Sequence, residues 1–372
     1  MSIKLLRVQL FACIPIVSIF LCVRPIQNVS RGNSTSRSSG FSAFCKDGVF
    51  IKLGESGLSS VDLKTGRTLW SVLPNKIADV GPSVSGDTVA IITESFNTIY
   101  AFSRKTGKLL WQRDHPSNVL DGDDRFFYVS RDDLDGISAL DNRTGTTAWT
   151  LRVPASVPKT HLLFLKIHGG RLYTDRYVIS LHDKKVLKKW PQNLSVEAVS
   201  FPGDGETLVG DSSGNVVLYD HNFFELKRLH LAEAAVVGLG SNDKGILLAS
   251  QDDHGAGEIK FVSWQGETKW HVGAPFGTWL SRTPFIIDGN NALILEPTKV
   301  DLGGEHRYRL VSRKLATGET DWATHEAHFS DEPAICGDTV FVRTLEGQIM
   351  EFNARDGHEK WARTLSYAHR EH

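Results

Sequence analysis

The chain has 372 residues, with 42 basic and 43 acidic side chains giving a formal net charge of −1. Near-neutrality removes the broad basic footprint that non-specific nucleic-acid binding needs, and 23% charged with 41% hydrophobic residues lies outside the disordered class. Thirty-three glycines and nine tryptophans against two methionines point to a turn-rich β protein rather than a helical bundle.

Residues 1–23 read as a signal peptide or membrane anchor. Lys4 and Arg7 form a positive n-region, and Val8 to Val23 carry no charge before Arg24. That apolar run falls between a cleaved h-region and a spanning helix in length. Export is therefore expected, with the leader either removed or retained, and the body periplasmic, extracellular or anchored facing outward. Residues 24–40 are rich in Ser, Asn, Arg and Gly without a hydrophobic period, and read as a flexible linker. Asn28, Asn33, Asn142 and Asn193 stand in N-x-S/T sequons.

From residue 41 the sequence repeats. Six glycines are each followed four residues later by tryptophan: Gly66/Trp70, Gly107/Trp111, Gly145/Trp149, Gly266/Trp270, Gly318/Trp322 and Gly357/Trp361. Trp190 marks a degraded copy with Val186 at the glycine position, and a further copy runs from Tyr219 to Leu229 with both marks lost. The marks are spaced on average roughly 42 residues apart, so eight units account for residues 41–372. The last unit shows the internal grammar. Short apolar segments around Ile335, Val340, Ile349 and Trp361 are separated by Gly337-Asp338, Glu346-Gly347 and Asp356-Gly357 turns. Four strands in about 40 residues is the size of one propeller blade. The reading is all-β: an eight-bladed β-propeller of four-stranded blades over residues 41–372, preceded by the signal or anchor segment. Glycine supplies the tight turn and tryptophan a large apolar wedge between blades.

Ala139-Leu140-Asp141-Asn142-Arg143-Thr144-Gly145-Thr146-Thr147-Ala148-Trp149 matches the A-x-D-x-x-T-G-x-x-x-W motif at every defined position. Ser60 to Trp70 and Ala101 to Trp111 depart from it at one position each. On these residues the chain resembles the pyrroloquinoline-quinone-like propeller repeat family across essentially all of residues 41–372. The same repeat builds quinoprotein dehydrogenases and non-enzymatic scaffolds such as the outer-membrane barrel-assembly lipoprotein, so it implies fold rather than activity.

Cys45 and Cys336 occupy matching positions in the first and last units, which become neighbours when a ring closes. Equivalent points on adjacent blades come within disulfide reach, about 5.5 Å between Cα atoms, only near the innermost strands. An exported chain permits the bond; a Cys45–Cys336 clasp across the closure is one reading, and two reduced, buried thiols are the other.

The chemical motifs are sparse. A quinoprotein alcohol dehydrogenase is expected to carry adjacent cysteines, and this chain has none. HExxH, CxxC, P-loop and G-x-S-x-G patterns are also absent. His325-Glu326-Ala327-His328 reads as a solvated connector. Asp121-Gly122-Asp123-Asp124 and Asp132-Asp133-Leu134-Asp135-Gly136 read as hairpin turns rather than Ca²⁺ loops. Lys184, Lys185, Lys188 and Lys189 form a basic patch that reads as a solvated turn, with an acidic partner as its second reading. The interval from Trp270 to Trp322 is longer than the rest, with the excess near Gly273–Trp279 and Glu296–Arg309; a binding surface is sought there first. The expectation is a monomeric, exported, non-catalytic scaffold with a protein partner at the cell envelope, no nucleic acid, no cofactor, and membrane contact only through the N-terminal segment. The alternatives are a quinone-dependent alcohol or sugar oxidoreductase using pyrroloquinoline quinone with Ca²⁺, and a carbohydrate- or small-ligand-binding propeller presenting Phe276 and Trp279.

Overall fold

A computed structural model describes residues 41–44, 48–53, 57–72, 82–92, 98–114, 120–131, 136–152, 165–191, 193–203, 205–252, 254–274, 285–300, 306–329, 333–344 and 348–364. The leader, the linker, Asn28, Asn33, Cys45, Asp132–Asp135, Phe276 and Trp279 lie outside them. Every regular element among the described residues is a strand.

The strands form four-stranded antiparallel sheets in chain order, over residues 41–72, 83–114, 120–152, 165–189, 196–230, 235–274, 285–323 and 334–364. They are called sheets one to eight below. First strands of neighbouring sheets touch, as Ser83–Ser85 touches Leu120–Gly122 and Val196–Ser200 touches Ala235–Asn242. First strands therefore lie innermost and each fourth strand is an outer edge, the arrangement of propeller blades. Sequence pattern follows position. Thr88–Ile92, a second strand covered on both faces, is buried throughout, whereas the outer strand Thr147–Arg152 leaves Thr147, Ala148, Thr150 and Arg152 exposed.

The expectation of an eight-bladed propeller needs correction to seven blades described through the side chains of all four strands, from Ser83 to Thr364. In the sheet at residues 41–72, Phe41–Phe44 pairs with Gly48–Leu53, which pairs in turn with Gly57–Val61. Its outer half does pack: Leu58 joins the core of sheet two, and Val61 joins Phe341 and Ile349 of the last sheet.

The motif turns have a shared geometry. Asp62 Oδ1 accepts from the Thr65 hydroxyl at 2.7 Å and from the amides of Thr65 and Lys64 at 2.8 and 3.1 Å. The Thr65 hydroxyl above all holds the Asp62 carboxyl below its usual range. Asp141 repeats the arrangement with Arg143 and Thr144. Gly145 follows at φ +70°, and its amide closes the turn on Asp141 O at 2.8 Å.

Five of the six motif glycines then meet the tryptophan of the preceding blade, Gly266 being the exception. A Cβ on Gly145 would lie 2.6 Å from Trp111 Cδ2, and one on Gly107 would lie 2.7 Å from Trp70 Cδ2. Gly318 stands likewise against Trp270, Gly357 against Trp322 and Gly66 against Trp361. The indole N–H completes the joint. Trp70 donates to Arg104 O at 2.8 Å, Trp111 to Asn142 O at 2.9 Å, Trp270 to Leu315 O at 2.8 Å and Trp322 to Ala354 O at 3.1 Å. In each case the acceptor sits three residues before the glycine. The wedge is thus a specific interlock: glycine lets the ring approach and the turn backbone takes its proton.

Sheets four and five correct the sequence reading. Lys184 stands at φ +55° with its amide on Ser180 O, and Lys188 pairs with Val178 as Trp149 pairs with Ala139. Lys184 and Lys188, not Val186 and Trp190, therefore hold the glycine and tryptophan places. In sheet five Phe223 stands at φ +64° and Lys227 pairs with Leu218, so Lys227 rather than Leu229 takes the tryptophan place. The spacing of four survives while both letters change. Lys188 Nζ donates to Phe223 O at 3.1 Å and Lys227 Nζ to Trp264 O at 2.5 Å, so an ammonium still bonds each neighbouring turn. Trp190 instead donates within its own sheet to Thr174 O at 3.0 Å and packs against Tyr219 and Phe223. Leu229 fills the space beneath Gly266.

Cys336 ends the first strand of the last sheet and is disulfide-bonded. That strand touches Phe41–Phe44, the strand immediately before Cys45. We propose Cys45 as the other half. Non-reducing peptide mapping is expected to link the Cys45 and Cys336 peptides, and a link from Cys336 to Cys13 or Cys22 would contradict the pairing. Removing a bond that closes so long a loop is expected to cost roughly 2–5 kcal/mol.

Candidate functional site

The inner strands of sheets three to five carry a polar junction. Asp121, on Leu120–Gly122, is 1% exposed. Its Oδ1 accepts from the Gly122 amide at 2.8 Å, and its Oδ2 accepts from Ile167 N of the next sheet at 3.1 Å. Lys166, beside Ile167, donates from Nζ to Val199 O on the first strand of sheet five at 3.2 Å. The same ammonium lies 5.4 Å from the centre of the Phe201 ring, and Phe201 stacks on His168 at 4.0 Å. One carboxylate and one lysine thus tie three inner strands together.

Burial pushes the Asp121 carboxyl up to about 7, against the lowering pull of the Gly122 and Ile167 amides and of Lys166. Burial also lowers the His168 imidazole, and Lys166 and Arg171 lower it further. The junction therefore holds a carboxyl that titrates near neutrality beside an imidazole biased toward its neutral form. Each Asp121 oxygen already accepts from a backbone amide, which suits a strand tie rather than an open ligand.

The Asp-rich run containing Asp121 is the expected hairpin turn. Asp123 Oδ1 accepts from the Arg125 and Phe126 amides, both at 2.8 Å, while Oδ2 accepts from the Tyr128 hydroxyl at 2.5 Å. The segment containing His325 to His328 lies along a long hairpin: Glu326 pairs with Lys299 at 2.8 Å and Ala327 bridges Tyr308. The excess length after Trp270 is partly spent in that hairpin, whose strands Asn291–Val300 and His306–Lys314 pair across a bulge near Pro297. Glu296 is buried there between Arg309 and Arg313. Asn142 is also buried, its amide donating to Ser85 O, Ser85 Oγ and Asp124 O. Its sequon therefore marks a packed side chain. Asn193 is exposed.

Ca²⁺ with pyrroloquinoline quinone, the cofactor set implied by the family's dehydrogenases, needs several converging oxygen donors. Among the described residues no three His, Cys, Asp or Glu side chains converge as a metal-binding group. Asp121, the buried inner carboxylate, is already bonded to two amides.

Of the sequence-predicted structural residues, Gly66, Gly107, Gly145, Gly318 and Gly357 each meet a tryptophan of the neighbouring blade, whereas Gly266 and Trp190 do not form that interlock. The Asp121–Lys166–Phe201 junction was missed because a lone acid within Asp-Gly-Asp-Asp looks like any turn. The outer rim of sheets four and five carries a second feature. Leu187, Phe224 and Leu226 are exposed among the basic residues of the patch noted in the sequence.

No curated protein matches the sequence. Solved structures share its fold at low identity. The computationally designed Ika8 protein aligns with TM-score 0.61 and 14% identity over 88% of this chain and 97% of its own. AztD from Citrobacter koseri aligns with TM-score 0.56 and 13% identity, covering 84% of this chain and 92% of that one. The quinohemoprotein alcohol dehydrogenase ADHIIG from Pseudomonas putida HK5 aligns with TM-score 0.54 and 11% identity, covering 76% and 66%. These likenesses speak to fold alone. The family model described as outer membrane protein assembly factor BamB matches residues 54–222 and 256–369. With that match over most of its length, the chain belongs to the BamB-like family of propeller repeats.

Proposed function

We propose that this protein is an exported, non-catalytic propeller scaffold that binds a protein partner at the cell envelope. The family match over residues 54–222 and 256–369 carries the reading. The tie from Asp121 Oδ2 to the Ile167 amide of the next sheet is consistent with it, since this inner carboxyl joins two blades. The leader of residues 1–23 fits export.

The test is photo-crosslinking in the native host, with a photoreactive residue placed at exposed rim positions such as Leu69, Leu109, Leu187 and Phe224. A recurring adduct with one envelope protein from at least one position is the expected result. Absence of any protein adduct across the whole panel would overturn the scaffold reading.

A further inference from the structure

The outer strands of sheets four and five, Lys185–Lys189 and Glu225–His230, are edges of their sheets. Elsewhere the interlock places a tryptophan from one outer strand against the next turn. Here lysines do that work, and the bond from Lys188 Nζ to Phe223 O brings the Lys185–Lys189 strand against the turn that carries Phe224. Three exposed apolar side chains fall on this rim: Phe224 at 67%, Leu226 at 54% and Leu187 at 37% exposure. Phe224 is the most exposed large apolar side chain among the described residues.

The charge around them is lopsided. The segment His182–Lys189 carries Lys184, Lys185, Lys188 and Lys189 against Asp183 alone. Across the joint, Lys227 is committed to Trp264 O, and Arg228 is bound to Glu225 at 2.7 Å. Glu225 is itself held below its usual range, by Arg228 first and by Lys188 as well. Asp183 lies 3.8 Å from Lys185, and Asp220 accepts the Asn222 and Phe224 amides, so the nearby acids already have partners while the cations outnumber them. Exposed apolar side chains on a rim with an excess of positive charge favour a ligand with apolar anchors and the opposite charge.

We propose that this rim docks an acidic protein segment, with apolar side chains of the partner seated on Leu187, Phe224 and Leu226 and its carboxylates facing Lys184, Lys185 and Lys189. The proposal rests on the scaffold reading and deepens it by naming the surface and the chemistry of the partner.

The probe is a short fluorescein-labelled peptide in which Asp and Glu alternate with Leu and Phe, titrated against the full chain by anisotropy. A control peptide replaces each acid with Lys. Binding is expected for the acidic peptide alone, weakening as salt rises. The double substitution Phe224→Ser, Leu226→Ser is expected to weaken it at least roughly tenfold, since a buried aromatic anchor is worth more than the free energy of one decade. Lys185→Glu with Lys189→Glu should weaken it comparably while an unchanged Tm shows the fold intact. Equal binding of both peptides, no binding, or indifference to both pairs of substitutions would overturn the proposal. Binding to phosphatidylglycerol vesicles in place of the peptide would also overturn it, by making the rim a lipid-facing surface. In the crosslinking panel, adducts from Leu69 or Leu109 but none from Leu187 or Phe224 would sink this surface and leave the scaffold standing. A panel without any adduct would sink both.

Discussion

Trp111→Ala is expected to destabilise the protein by about 3–5 kcal/mol, the range for removing a buried aromatic side chain from a packed core. Trp111 is 8% exposed, packs edge-on against Phe127 at 6.1 Å and belongs to the core shared by sheets two and three. Its loss would also orphan Asn142 O, which now accepts the indole proton at 2.9 Å. Gly145→Ala attacks the same joint from the other side. The added Cβ would lie 2.6 Å from Trp111 Cδ2, and φ of +70° alone costs a non-glycine residue about 1–2 kcal/mol. The two substitutions should not add. With Trp111 removed, the Cβ has room and only the backbone cost remains. A double-mutant cycle by denaturant unfolding is expected to show coupling of about 1 kcal/mol or more. Additive losses would mean that the ring and the glycine are not interlocked.

The second large effect belongs to Asp121. Its carboxyl is raised from 3.8 to about 7 in the folded protein, chiefly by burial. Between those values the folded state holds a proton that the unfolded state has released. Stability contributed by this group is therefore complete below about pH 4 and is lost as pH rises toward 7, with a slope approaching 1.4 kcal/mol per pH unit. Asp121→Asn cannot titrate and should flatten that part of the curve. Its amide nitrogen must face one of two backbone N–H groups, so the variant is expected to be less stable than the wild type at low pH. The two curves should converge, or cross, as pH passes 7. Parallel curves from pH 4 to 8 would show that Asp121 is ionised throughout.

The repeat was legible because its letters do physical work that few other residues can do. Gly145 is needed for a left-handed turn under an indole, and Asp141 with Thr144 ties that turn, so the A-x-D-x-x-T-G-x-x-x-W pattern survives where the geometry does. Sheets four and five hid the same joint behind different chemistry. An ammonium on a long stem reaches the next turn, so Lys188 and Lys227 still bond the neighbouring turn, though at Phe223 O and Trp264 O rather than at the carbonyl three residues before the glycine place. Lys184 and Phe223 accept positive φ where glycine would be easier, and Phe223 is anchored there by Tyr173, Trp190 and Arg171. Counting tryptophans therefore placed two marks a couple of residues late. The inner junction left no trace in the sequence, since Asp121, Lys166 and Phe201 come from three different repeats and meet only through the strand order. The basic patch was visible as lysines, but its apolar partners Phe224 and Leu226 come from the following sheet.

The measurement that tests the account most directly is a calorimetric and absorbance titration of the purified chain with pyrroloquinoline quinone, with and without Ca²⁺. A non-catalytic scaffold should show no stoichiometric binding at any cofactor concentration short of non-specific association. Stoichiometric, cation-dependent binding would contradict the account and make the propeller a quinone enzyme.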